Sequence, residues 1–424
     1  MILHKGVLQA KMNVPFLDLK PGYEKLRSGI DEAMGAVFDQ CNFVLGEPVR
    51  ALEEQCAAYC GAKHAISVAS GTDAIRIALR GCGAGKGHGV ITSPLTFVAT
   101  AEAVNSIGAR PFFCDIDPVT ANLSPAAVLD FLENQCMRDN SSGFPVHKQT
   151  NIPIKGIIPV HLYGQCADMG ALNRIARDWN LFVLEDAAQA FGAEYATDGK
   201  SVKTGCLGKA AAFSFYPSKN LGGAGDSGMI TTDDDSVAKI CRVLRVHGAP
   251  TAYDFVESGY NSRMDTLQAA VLLVKLPHID EWLTARREKA AFYSRLFREY
   301  ALKLDVPVFE ASELSVPAPE QGKFLVLPSE AENCRHTFNS FNIRVQDRDG
   351  MIASLGGQGV GTNVYYPKPL HLNKVFDFLG YAAGDMPVSE KMCSVICAMP
   401  MFPEITEEQQ RYVVEKVMEF LKAQ

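Results

Sequence analysis

The chain has no surplus of positive charge. Its 41 Lys and Arg stand against 48 Asp and Glu, a net charge of −7. Nothing is left over to neutralise a phosphate backbone, which argues against a nucleic-acid binder. No apolar run is long enough to cross a bilayer. The opening MILHKGVLQAK is too short, and too broken by Lys5 and Lys11, for a secretory signal. A cytoplasmic protein away from the membrane is expected. Neither CxxC nor HExxH occurs, so no metal is expected. Internal repeats and low-complexity tracts are also lacking. The 12 cysteines are not a disulfide framework, because a chain of 424 residues does not need such staples. Cys56 with Cys60, and Cys393 with Cys397, share the i,i+4 spacing of one helix face. They read as buried thiols packing like small hydrophobes.

What is present is ample core material: 47% of the residues are hydrophobic, and more than one domain is expected at this length. Strand and helix signals alternate from about residue 50 to 275, the pattern of a mostly parallel α/β sheet with helices on both faces. HAISVA (64–69), the 155–164 stretch, LFVLED (181–186), AAFSF and GMITT read as buried strands. SGTDAIRIALRG reads as a helix stopped at Gly81, and MGALNRIARDWN as an amphipathic one. A long helical stretch is expected over roughly 265–303, and an exposed loop over 136–151, where turn formers gather. The texture becomes shorter and more mixed near residue 290. This gives an N-terminal extension (1–12), a large domain (13–289) and a smaller C-terminal α+β domain (290–424).

Three motifs carry chemistry. In SFYPSKNLGGAGDSG (214–228), Lys219 lies just past a strand end among Ser, Pro and Gly. A lysine that forms a Schiff base needs such a partly desolvated place, where its ammonium is disfavoured. In LFVLED, an apolar strand delivers Asp186 at its carboxyl end, where open α/β sheets bind ligands. In Ser70-Gly71-Thr72-Asp73, backbone N–H groups and a hydroxyl open a helix and make a phosphate site. Taken singly, each motif has a plain structural reading: a solvated loop lysine, an Asp N-cap and a Ser N-cap.

Together, in this order, the motifs match the fold-type I pyridoxal-phosphate enzymes, the aspartate aminotransferase-like fold. Longer strings narrow the match: VPFLDL, SPLTFVATAEAV (93–104), IIPVHLYGQCADM (157–169), EDAAQAFGAEY (185–195), GYNSRMDTLQAAVL (259–272) and PMFPEIT (400–406). From about residue 13 to the C-terminus the sequence resembles the DegT/DnrJ/EryC1/StrS family of sugar aminotransferases.

That resemblance implies pyridoxal 5'-phosphate as cofactor, bonded to Lys219, which also moves the proton between cofactor and substrate. It implies Asp186 as partner of the ring nitrogen, Gln189 beside the phenolic oxygen, and Phe97 as the stacking ring. Gly71, Thr72 and Ser214 match phosphate ligands. Asn261 matches a phosphate ligand given by the neighbouring subunit of a homodimer. Arg263 suits the carboxylate of L-glutamate, the amino donor, although a salt bridge to a neighbour such as Asp265 is an equal reading. The acceptor implied is a keto-sugar on a nucleotide, at carbon three or four. Tyr365 and His371, in NVYYPKPLHLNKVF (363–376), are the substrate-side candidates. Tyr365 replaces the family's histidine, Lys209 replaces an acid, and 136–151 is an added segment. A sugar dehydratase on the same scaffold would carry histidine in place of Lys219. A regulatory protein that binds the cofactor is the non-enzymatic alternative.

Overall fold

The computed structural model describes residues 12–139, 141–197 and 199–424. The N-terminal extension lies outside the described residues except for Met12.

Seven strands form the main sheet: β1 (His64–Val68), β2 (Gly89–Thr92), β3 (Arg110–Phe113), β4 (Ile154–Ile158), β5 (Phe182–Asp186), β6 (Ala210–Ser214) and β7 (Gly228–Thr232). Their order is β1-β7-β6-β5-β4-β2-β3. Only β7 runs antiparallel to its neighbours. The strand sequences are nearly unbroken apolar runs because helices cover both faces. β6 shows the alternation directly. Ala210 and Ala212 join a core with Ile75, Leu79 and Leu244, while Ala211 and Phe213 join another with Leu52, Cys56 and Leu272. The helix Gly71–Gly81 begins where expected, with Ser70 Oγ accepting the Asp73 N–H at 3.1 Å.

A second sheet, β8 (Val308–Glu310), β9 (Leu325–Leu327), β10 (Phe341–Val345) and β11 (Ile396–Met399), pairs in chain order. Its core takes Tyr293 and Phe297 from the helix Ile279–Leu304, and Val413 and Val417 from the helix Glu407–Ala423. The helix Ile279–Leu304 passes from one core to the other: Leu283 packs with the large sheet, and Ala290 onward with the small one. A domain boundary near residue 290 remains our proposal on that basis. Val14 packs in the second core and exchanges backbone bonds of 2.8 Å with Gly359 and Gly361. The first residues assigned to the large domain therefore pack with the small one.

One local expectation is refined and one is corrected. The stretch 265–303 holds two helices, Thr266–Lys275 and Ile279–Leu304, joined by a 3₁₀ turn at Leu276–His278. Pro277 has no N–H to continue the first ladder. The 136–151 segment contains a two-stranded hairpin, Cys136–Arg138 with Pro145–His147. It is anchored because the His147 ring stacks on Phe131 at 5.7 Å and is buried. Among the described residues, no helix is long and apolar enough to cross a membrane.

Phe213 is fully buried, with Phe191 edge-on at 5.2 Å. Phe213→Ala is expected to cost about 3–5 kcal/mol, read as a lower denaturant midpoint with an unchanged slope; a loss below ~1 kcal/mol would mean the core closes over the gap.

Candidate active site

The carboxyl ends of β1, β2, β5 and β6 point into one cavity of about 650 Å³, the place where an open α/β sheet holds its ligand. Lys219, Asp186, Gly71, Thr72, Ser214, Phe97, Gln189 and Tyr365 all line it. The structure thus brings together motifs up to about 300 residues apart in sequence.

Asp186 closes β5. Side chains alternate along a strand, so of the adjacent carboxylates only one faces the cavity. Glu185 faces away and is fully engaged: it accepts the N–H groups of Gly205, Leu207 and Gly208 at 2.8–3.0 Å and pairs with His161 at 3.0 Å. Asp186 is 4% exposed. One oxygen accepts the Thr100 hydroxyl at 2.7 Å, the other the Ala188 N–H at 3.2 Å. Burial pushes this carboxyl upward; those two donors, then the Lys219 ammonium and His161, pull it back.

Lys219 sits in the turn after β6. Burial lowers its ammonium below the ordinary lysine range, and only Asp186 opposes that. Its turn is clamped from several sides. Asn220 donates to Phe191 C=O at 3.2 Å and to Thr337 Oγ1 at 3.0 Å, and accepts from Asn339 at 3.1 Å. Gln268 accepts the Ala224 N–H at 2.8 Å, and Lys275 Nζ holds Gly222 C=O. A reactive amine is useful only if its backbone is held still.

The helix Gly71–Gly81 aims its N-terminus at the same cavity. Asp73 and Ala74 donate to Ser70, which leaves the N–H groups of Gly71 and Thr72 without backbone acceptors. A Cβ at Gly71 would lie 2.6 Å from Ser214 Cβ. Only glycine lets the helix start approach β6 this closely, and Gly71, Thr72 and Ser214 together line this end of the cavity. Across the cavity Phe97 presents a ring that is 58% exposed. Gln189 accepts the Tyr163 N–H at 2.6 Å and donates to Tyr366 OH at 3.1 Å.

These residues fit pyridoxal phosphate: an anion cradle, a free aromatic face, a buried carboxylate and a lysine whose charged form is disfavoured. Other predicted residues lie elsewhere. Asn261 and Arg263 do not line the cavity of this single chain; Arg263 donates to Asn261 Oδ1 at 2.6 Å. His371 is also outside it. That histidine is 1% exposed and pairs with Glu390 at 3.0 Å. The turn Leu370–Leu372 sets it against the helix Pro387–Val395, so in this chain its ring faces Glu390 and not the cavity. The sequence reading missed Thr96, Thr100, Tyr366 and Asn220. Threonine and tyrosine near a strand end carry no local signal of what they will touch.

The sequence profile of the DegT/DnrJ/EryC1/StrS aminotransferase family matches residues 25–418. A "pleiotropic regulatory protein" of Geobacillus stearothermophilus is 46% identical, over 97% of this chain and 99% of its own length. A UDP-N-acetyl-3-dehydro-alpha-D-glucosamine 3-aminotransferase of Acidithiobacillus ferrooxidans is 36% identical, over 93% and 95%. The solved structure of NtdA from Bacillus subtilis, with bound cofactor PMP, superposes with a TM-score of 0.80 at 28% identity, covering 98% of this chain and 87% of that one.

Two outcomes follow from the geometry. Gly71→Ala is expected to weaken pyridoxal phosphate binding about tenfold or more, by fluorescence titration, because the added methyl must push the cradle apart; unchanged affinity would remove the phosphate assignment. In the cofactor-free protein, Lys219 should react with formaldehyde and borohydride at lower pH than the surface lysines. Asp186→Asn removes the one attraction that keeps its proton on, so that profile should move lower still. Peptide mass spectrometry across pH checks both, and co-titration with surface lysines would contradict them.

Proposed function

This chain belongs to the DegT/DnrJ/EryC1/StrS aminotransferase family, and from that premise we propose that it moves the amino group of L-glutamate onto a nucleotide-linked keto-hexose. The carrying observation is Lys219, an amine whose charged form is disfavoured, facing the buried carboxylate Asp186 across a cavity with an anion cradle. The chain is a pyridoxal-phosphate-dependent aminotransferase. That cofactor supplies an aldehyde carbon that takes up amino groups and a ring that withdraws electrons when its nitrogen is protonated.

The protein's side chains do the rest. Gly71, Thr72 and Ser214 would hold the phosphate, and Phe97 would cover one ring face. Asp186 would keep the proton on the ring nitrogen. Gln189, fixed between Tyr163 and Tyr366, would orient the phenolic oxygen. Lys219 Nζ would bond the cofactor at rest and, once displaced, carry the proton from the donor's α-carbon. Removal of the donor as 2-oxoglutarate and entry of the keto-sugar then repeat the sequence in reverse. Tyr365 lines the cavity and would face the sugar. The Acidithiobacillus relative, whose name specifies a 3-dehydro sugar, favours carbon three over carbon four as the site of amination.

Asn261 and Arg263 lie outside the cavity of their own chain, so we assign them to the site of a second subunit in a homodimer. There they would meet the phosphate and the glutamate carboxylate. All 12 cysteines are free thiols, which supports a reducing cytoplasmic location. The Geobacillus relative bears a regulatory name, but a purely regulatory protein needs no amine held in a desolvated, clamped turn.

Glutamate should bleach the visible band of the cofactor-loaded protein, and a UDP- or dTDP-linked 3-keto sugar should restore it; a band that glutamate leaves untouched would remove glutamate as donor. For the shared site, inactive Lys219→Ala and Asn261→Ala proteins mixed under subunit exchange should recover about a quarter of wild-type activity. Half of the dimers are then mixed, and each of those has one intact site. No recovery despite demonstrated exchange would place Asn261 in its own subunit's site.

A further inference from the structure

The Asp186 carboxylate does not stand alone in the cavity wall. Behind it lie Thr100, 1% exposed, and Thr96, 3% exposed. Thr100 Oγ1 is 2.7 Å from Asp186 Oδ2, and Thr96 Oγ1 is 2.8 Å from Thr100 Oγ1. A helical threonine commonly gives its proton to the carbonyl one turn back. Here the partner one turn back is another hydroxyl, and the proton goes to the carboxylate instead.

The direction of these bonds is fixed by counting protons. An ionised carboxylate only accepts. Its Oδ1 takes the Ala188 N–H and its Oδ2 takes the Thr100 hydroxyl proton. Thr100 has no second proton, so toward Thr96 it offers a lone pair, and Thr96 must donate. The chain runs one way, Thr96 to Thr100 to Asp186. Turning it round requires a proton on Asp186 Oδ2. Hydroxyls aligned in this sense polarise one another and strengthen the terminal bond.

We propose that Thr100 and Thr96 are positioning residues that keep Asp186 an ionised acceptor toward the cavity, and so set how firmly a proton is held on the cofactor's ring nitrogen. The inference rests on the assignment of Asp186 to that nitrogen. The segment gains a second meaning from it. Thr96 and Phe97 immediately precede the helix Val98–Ser106 and Thr100 lies in its first turn, so the piece of chain that offers a ring to the cofactor's face also holds the carboxylate at its edge. The other ionisable groups facing Asp186 are Lys219, His161 and Tyr366. His161 presents its Nδ1 to the Ala167 N–H at 3.1 Å and its Nε2 to Glu185 at 3.0 Å, and so offers Asp186 no hydrogen bond. Among the side chains, only Thr100 donates to this carboxylate among the described residues.

The test is the pH titration of the visible spectrum of the protein loaded with pyridoxal phosphate. A proton on the ring nitrogen disfavours a second one at the lysine linkage, so weakening Asp186 raises the pH at which the colour changes. Thr100→Val keeps the shape and removes the hydroxyl. It should shift the change upward by about half a unit or more, in the direction of Asp186→Asn but less far. Thr96→Val should shift it the same way by less, and it carries the test if Thr100→Val does not load. Thr100→Ser should titrate like the wild type. Titration of both valine variants with the wild type overturns the proposal, as does a serine variant displaced as far as valine, which would make packing the cause. If Asp186→Asn itself leaves the titration unmoved, the assignment of Asp186 to the ring nitrogen is what fails.

Discussion

A carboxylate and an amine buried opposite one another in the same cavity set the terms for the rest of this site. Burial alone would neutralise both: it raises Asp186 and lowers Lys219. Removing either charge from water costs several kcal/mol unless other groups compensate. The compensation at Asp186 is built into the scaffold, with one hydroxyl, one backbone N–H and the facing amine. At Lys219 it is deliberately incomplete. The amine has only Asp186 to keep its proton, which suits a group that must attack a carbonyl as a neutral base.

Holding these two groups in register explains much of the surrounding structure. β5 and β6 are parallel neighbours, with Ala212 opposite Asp186, so the strand carrying the carboxylate and the strand leading to the lysine share one hydrogen-bond ladder. Gly71 brings a helix N-terminus against Ser214 at the end of that same strand. The loop ahead of β10 contributes from its side: Asn339 and Thr337 hold Asn220, the residue next to the lysine.

Much of this was legible in the sequence because it is local. Apolar runs ended by Asp186 or followed by Lys219 declare a strand and its exit in a few residues, and Ser70-Gly71-Thr72 declares a helix start. Pro277 is an equally local sign of the break inside the 265–303 helical stretch. What could not be read was contact between ordinary residues. Thr100 and Thr96 are unremarked until β5 places a carboxylate beside them. His371 drew a substrate role by resemblance, yet its partner Glu390 lies 19 residues away with no spacing that announces the pair. Asn261 and Arg263 keep their meaning only if a second subunit is present.

The central claim is that Lys219, and no other lysine, carries the cofactor. Reducing the loaded protein with borohydride and locating the phosphopyridoxyl group by peptide mass spectrometry tests it most directly. The account predicts a single stoichiometric modification on the peptide containing Lys219, absent when borohydride is added without cofactor. Modification spread over surface lysines, or a dominant adduct at another position such as Lys209 or Lys275, would contradict it.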